Sequence, residues 1–291
     1  MDPQNIELTV RHILVALDGS RQSMAALEMA ADLAAFAKAE LIGLFVEDTQ
    51  LLRLAESPQA RQVLYPSAQQ RPLNRDAMEQ QFRAQAELAR RAMASLANPI
   101  QLRWAFRVVR GDVNTEVLAA AEGIDILVLG RSGWSLAAQT HLGSTALNVA
   151  RHSPRDLLLV RRGHPLKRQV LVVVNDAETF QAPLIAAVRL ARAYGGRLIV
   201  LSSSARTSFG EGIPKSALTS LKGELEHLHV HFRRIPGTDP LSIAHAVQTE
   251  GGGIVVLGES VCSTETMRQL LSRLDNPILL VRSERTPQMN W

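Results

Sequence analysis

The chain has 291 residues, 46% of them hydrophobic, 21% charged and 4% aromatic, with a formal net charge of +4. That length accommodates about two domains that each bury a core, and the composition argues against a largely disordered chain. No apolar run approaches the ~18 residues needed to cross a bilayer and no secretory pattern opens the chain. The single cysteine, Cys262, excludes an intrachain disulfide and a Cys-rich zinc site, so a cytoplasmic protein without a membrane partner is expected.

His12 to Leu17 reads as a strand that ends at Asp18-Gly19-Ser20, where Ser20 can cap the next helix. Leu27, Ala30, Ala31, Leu33 and Ala34 give that helix a core-facing stripe, and Leu41 to Val46 reads as a second strand. Residues 47–74 read as irregular, because Ser57-Pro58, Tyr65-Pro66 and Arg71-Pro72 interrupt any regular element. A helix over 76–96, a strand over 101–109 and a short helix through Ala121 follow. Ile126 to Leu129 is a short apolar strand, residues 144–151 a helix and Asp156 to Val160 a last strand. Such alternation implies right-handed crossovers and a mostly parallel sheet.

The stretch between Leu129 and the helix at Ser144 carries spaced glycines, Gly130, Gly133 and Gly143. Glycine lets a ligand approach the main chain, and the free N–H groups of a helix start attract anions. A phosphate cradle fits this pattern; so does a plain turn with Ser144 or Thr145 as cap.

After a linker over 161–168 the pattern restarts. Val170 to Asn175 answers Ile13 to Asp18, and the same offset of 157 residues carries Leu27 to Leu184 and Leu41 to Leu198. Ile254 to Gly258 answers Ile126 to Gly130, and Asn276 to Val281 answers Arg155 to Val160. The second copy is about seven residues shorter after its Gly258, has no partner for Gly133 or Gly143, and carries Asn175 in place of Asp18. A turn needed by the fold would recur in both copies, so the comparison favours the phosphate reading. The expected organisation is a domain over 1–163 with the glycine loop, followed by a degenerate domain over 164–291.

At these residues the chain resembles the universal stress protein family, whose nucleotide motif is Gly, two residues, Gly, nine residues, Gly, then Ser or Thr. Gly130, Gly133, Gly143 and Ser144 fulfil it, and Asp18-Gly19-Ser20 and Leu44 to Asp48 also look like the family's. The resemblance covers both halves and implies two tandem, open, parallel five-stranded sheets in the order 3-2-1-4-5, flanked by helices in the Rossmann-like manner. Such sheets bind ligands at the carboxyl ends of the strands beside the switch point. By resemblance, Ala16, Leu17, Asp18 and Val46 surround adenine and ribose, while Leu129, Gly130, Gly133, Gly143, Ser144 and Thr145 hold the phosphates. Position alone adds Arg131 and His141 as charge near the phosphates. The implied ligand is ATP or another adenine nucleotide, with room for Mg between phosphate oxygens. Family members pair through their last strands, which implies an internal pseudo-dimer with Leu157 to Val160 beside Ile278 to Val281. Homodimerisation of whole chains stays open.

No Walker-type Lys-Ser/Thr pair, nucleophile elbow or three-glycine dinucleotide turn is present. A non-enzymatic nucleotide-binding regulator of the stress response is therefore expected. A slow ATP hydrolase or self-phosphorylating protein using Ser144 or Thr145, and a protein-interaction scaffold, are the alternatives. Basic residues are scattered among acids and aromatics are scarce, which argues against nucleic acid as a partner. His227, His229 and His231 alternate as metal ligands on one strand face can, but alternation with Val230 and Phe232 is also what a half-buried edge strand shows, and no metal site is expected.

Overall fold

In the computed structural model, residues 10–64, 69–133, 143–161, 169–174, 181–194, 196–203, 228–259 and 264–282 are described. The chain divides into two compact units, residues 1–128 and 129–291.

In unit 1, β1 (His12–Leu17) is followed by α1 (Arg21–Ala37), β2 (Glu40–Asp48), α2 (Thr49–Ala55), β3 (Arg61–Leu64), β4 (Gln69–Pro72), α3 (Arg75–Ala97), β5 (Trp104–Gly111) and α4 (Val113–Ala121). The next strand, β6 (Ile126–Gly130), crosses the division after Val128. The order β5-β2-β1-β6 is parallel throughout, with Ile13 opposite Leu41 on one side and opposite Ile126 on the other. Parallel strands are covered on both faces, so their apolar runs are nearly continuous. Accordingly Ile13, Leu14, Val15 and Leu17 of β1, and Leu41 to Phe45 of β2, are buried.

Residues 47–74 are more regular than their prolines indicate. Asp48 caps α2 by accepting from the Gln50 amide at 2.8 Å, and β3 pairs with β4 as an antiparallel ribbon in which Pro72 stands at the end, opposite Arg61. Proline is tolerated there because a terminal position of a two-stranded ribbon has no inner ladder to break. The prolines at 58 and 72 thus bound the elements instead of preventing them, while Tyr65 and Pro66 lie outside the described residues. The helix α2 is fastened from below: Leu52 and Ala55 pack in one cluster with Phe45, Met78, Phe82 and Ala86, and the Phe45 and Phe82 rings meet edge to face at 6.3 Å.

Unit 2 contains the end of β6, then α5 (Ser144–His152), β7 (Asp156–Val160), β8 (Gln169–Val174), α6 (Gln181–Tyr194), β9 (Arg197–Ser202), β10 (His229–Arg234), α7 (Pro240–Thr249), β11 (Ile254–Gly258), α8 (Thr264–Arg273) and β12 (Ile278–Val281). Its strands run β10-β9-β8-β11-β12-β7. Val170 lies opposite Leu198 and Ile254, the positions that answer Ile13, Leu41 and Ile126, so both copies of the sequence repeat keep one register. One pair is not parallel. β12 and β7 run antiparallel, with Leu279 opposite Leu158.

The α/β class stands as expected, while the strand counts and order differ from two sheets of five. The strand expected to close the first sheet finds a hydrogen-bond partner in the strand expected to close the second. Among the described residues no helix is long and apolar enough to cross a membrane. On β10, His229 and His231 are exposed and alternate with half-buried Val230 and Phe232, while His227 lies outside the described residues.

The cluster under α2 yields a stability prediction. Phe82→Ala removes a buried ring and is expected to cost about 3–5 kcal/mol, read as a lowered urea midpoint with an unchanged slope.

Candidate functional site

At the carboxyl end of β1, Leu17 is buried and Ala16 and Asp18 are half-buried. The turn that follows is a closed set of hydrogen bonds. The Ser20 amide donates to Asp18 Oδ1 at 2.8 Å, the Ser23 amide donates to Ser20 Oγ at 3.2 Å, and Ser23 Oγ donates to the Ser20 carbonyl at 3.0 Å. Gly19 supplies the positive φ of 76° that this turn requires. Ser20 is therefore the cap of α1, as its position predicts.

Val46 is half-buried near the end of β2, and the two acids after it have partners that the sequence does not announce. The Arg110 guanidinium of β5 pairs with Glu47 at 2.7 Å and with Glu79 of α3 at 3.3 Å. Glu47 is largely covered, so this network ties the ends of β2 and β5 to α3. Beside it Gln50 Nε2 donates to Asp112 at 2.7 Å. Asp112 also caps α4, and the Thr115 amide and hydroxyl hold its carboxyl below the usual carboxylate range.

In unit 2, Gly130 ends β6 half-buried beside buried Leu129, Arg131 and Ser132 are buried, and Gly133 is exposed. Residues 134–142, including His141, lie outside the described residues. The chain re-enters at Gly143, whose N–H donates to the Arg131 carbonyl at 2.8 Å. One hydrogen bond thus sets the start of α5 against residues 131–133. Ser144 is exposed and Thr145 half-buried in its first turn.

The start of α5 differs from the others. Side-chain oxygens of Ser20, Asp48, Asn74, Asp112 and Asp239 cap α1, α2, α3, α4 and α7. At α5 the cap position is Gly143, with no side-chain acceptor. Its φ of −64° is open to any residue. A Cβ there would meet Ser132 Cα at 3.4 Å, an ordinary contact. Neither its conformation nor its packing against the described residues demands glycine at this position. The contrast is Gly258, which ends β11 as Gly130 ends β6. A Cβ on Gly258 would stand 2.7 Å from Pro183 Cγ, so packing alone explains it.

Arg131 is only 5% exposed, and its Nη1 donates to the Leu274 carbonyl, a partner that its place in the loop does not announce. Burial, reinforced by the nearby Arg161 charge and partly offset by Asp275, lowers its pKa to about 10. The main chain of Arg131 still belongs to the loop through the bond from Gly143.

Comparison with known proteins agrees with this architecture. Residues 9–161 match the model of the universal stress protein family. A universal stress protein of Staphylococcus haemolyticus is 29% identical over 154 residues, which are 53% of this chain and 86% of that protein. Among solved structures, a universal stress protein from Archaeoglobus fulgidus has a TM-score of 0.66 at 17% identity, covering 94% of this chain and 97% of its own. Another from Pseudomonas aeruginosa has a TM-score of 0.60 at 16% identity, covering 94% and 93%. At such identities the likeness is one of fold.

Replacing Ser20 by Ala removes the only side-chain acceptor of the α1 cap and is expected to lower unfolding stability by about 1 kcal/mol, measurable in chemical denaturation.

Proposed function

The chain belongs to the universal stress protein family, and we propose that it is a regulatory, cytoplasmic member that binds one adenine nucleotide, ATP or a close relative, through its first sequence repeat. In this reading the phosphates take the place of the acceptor that α5 lacks. Gly130, Gly133 and Gly143 keep the main chain accessible, and the N–H groups of Ser144 and Thr145, with their hydroxyls, meet phosphate oxygens where the helix dipole favours negative charge. Ala16, Leu17, Asp18 and Val46 supply the adenine and ribose surroundings, and Leu129 stands with the phosphate-side residues. Mg, when present, bridges phosphate oxygens without a dedicated protein ligand.

The observation that carries the proposal is the uncapped start of α5 at a glycine that the fold does not require. The second repeat supports a single site per chain. The residue after Gly258 is Glu259, a carboxylate paired with Arg282 at 3.0 Å, which would repel phosphate at the position answering Arg131. A regulatory role also fits the missing Walker lysine, since positioned groups for phosphoryl transfer are the part this loop lacks. The antiparallel β7–β12 pair supports the internal pairing of the repeats 1–163 and 164–291 as part of the same proposal.

The test is titration calorimetry of the full chain with ATP. One ATP per chain is expected. Gly143→Asp gives α5 the kind of cap that its neighbours have, and sets a carboxylate where phosphate would sit. Its thermal midpoint should hold or rise, while ATP affinity falls at least about tenfold, or about 1.4 kcal/mol. ATP uptake unchanged in this variant would sink the proposal. Sustained phosphate release lost on changing Gly133 would instead establish the hydrolase reading.

A further inference from the structure

Three arginines along the β7–β12 pair share one habit: each fastens the end of an element from the opposite sequence repeat. Arg131 follows β6 in the first repeat, yet its buried guanidinium donates to the carbonyl of Leu274, the residue after α8 in the second. Leu274 ends that helix, its own amide donating to the Leu270 carbonyl at 2.9 Å. Helix carboxyl ends carry unsatisfied carbonyls and the negative pole of the helix dipole, so a guanidinium there is favourably placed. Arg161, which follows β7, pairs with Asp275 next to it. In the reverse direction Arg282, which follows β12, donates from Nη2 to the Ala150 carbonyl in the last turn of α5 at 2.5 Å. The Arg282 amide donates to Asp156 Oδ1 at 3.0 Å.

The consequence falls on α5 and the loop before it. At its amino end, α5 is tied by Gly143 to the main chain of Arg131, whose side chain is tied to Leu274. At its carboxyl end it is tied through Ala150 to Arg282. Both tethers finish on residues 274–282, in the repeat that has lost its own glycine loop. Burying a guanidinium is costly unless it is well paired, and holding the loop gives this one a role that packing alone would not.

We propose that residues 274–282 of the second repeat act as a clamp that positions the glycine loop and α5 of the first, with Arg131 and Arg282 as positioning residues and not phosphate ligands. The inference rests on the nucleotide reading for its biological purpose but not for its test. Through this clamp the degenerate repeat sets how well the loop is preformed for an anion, since a ligand binds more tightly to a site it need not order. A partner or modification acting near Leu274 and Asp275 would thereby change nucleotide affinity without touching the pocket.

The experiment is hydrogen exchange of the full-length chain without ligand, followed by ATP titration of the same samples. In Arg131→Met the amides of Gly143 and of Leu147 to Arg151 should exchange about tenfold faster. Those of Leu198 to Leu201 in β9 serve as the internal control and should not change. Arg131→Lys, which keeps a charged donor, should recover part of the protection. Asp275→Asn is a milder surface change expected to fold even where Arg131→Met does not, and should loosen the same amides to a smaller degree. ATP affinity should follow the exchange rates, falling about tenfold in Arg131→Met. Exchange of α5 equal to wild type in both Arg131→Met and Asp275→Asn overturns the clamp, whatever the chain binds. Loosened α5 in a chain whose wild type takes up no ATP supports the clamp and overturns the nucleotide reading instead.

Discussion

An apolar strand with leucine on both faces has to find neighbours on both of its edges, and the pairing of β7 with β12 follows from that constraint. Leu157, Leu158 and Leu159 are buried, as are Ile278, Leu279 and Leu280 opposite them. Neither strand could stand at a solvated edge without exposing a flat apolar row, the feature that natural sheets avoid. Each sequence repeat delivers such a strand as its last element, and the two satisfy one another. The pairing is antiparallel because two like strands with equivalent free edges meet most simply about a local twofold axis. It also explains why the polar groups flanking these strands look across the pair: Arg161 and Arg282 each sit one residue beyond a strand end and reach residues on the partner strand's side.

A second constraint, satisfaction of helix ends, sorts the rest of unit 1 and unit 2 into scaffold and site. Five described helices meet it locally, by a side chain one residue before the helix. The end of α8 meets it at long range, through a guanidinium from the other repeat. Among the α-helices whose cap is described, α5 has a glycine at its start and no side-chain acceptor there. A cap position without a side-chain acceptor, where a single substitution would supply one, is more telling than any glycine count, because the chain uses such a side chain at five other described helix starts.

Sequence reasoning reached the scaffold readily for a physical reason. Buried parallel strands have to be apolar throughout, so β1, β6, β8 and β11 announce themselves, and an offset of 157 residues transfers intact into the pairing of Val170 with Leu198. The spacing of Gly130, Gly133, Gly143 and Ser144 is local and stands out in the sequence. The side-chain partner of Arg131 does not. The arginine's position in the loop is visible in the sequence, whereas the Leu274 carbonyl it meets is 143 residues away. The Glu47, Glu79 and Arg110 network escaped for the same reason, as ion pairs between separate elements leave no periodic trace. Residues 47–74 were read through their prolines, and proline marks the ends of α2 and of the β3–β4 ribbon as well as it marks a break.

The unequal fate of the two repeats then has a structural logic. The second copy folds without equivalents of Gly133 and Gly143, since its Gly258 packs against Pro183 and the strands around it keep their register. Leu274, Asp275 and Arg282 of the second copy complete elements of the first, so the copy without the glycine pair still finishes its twin's hydrogen bonds.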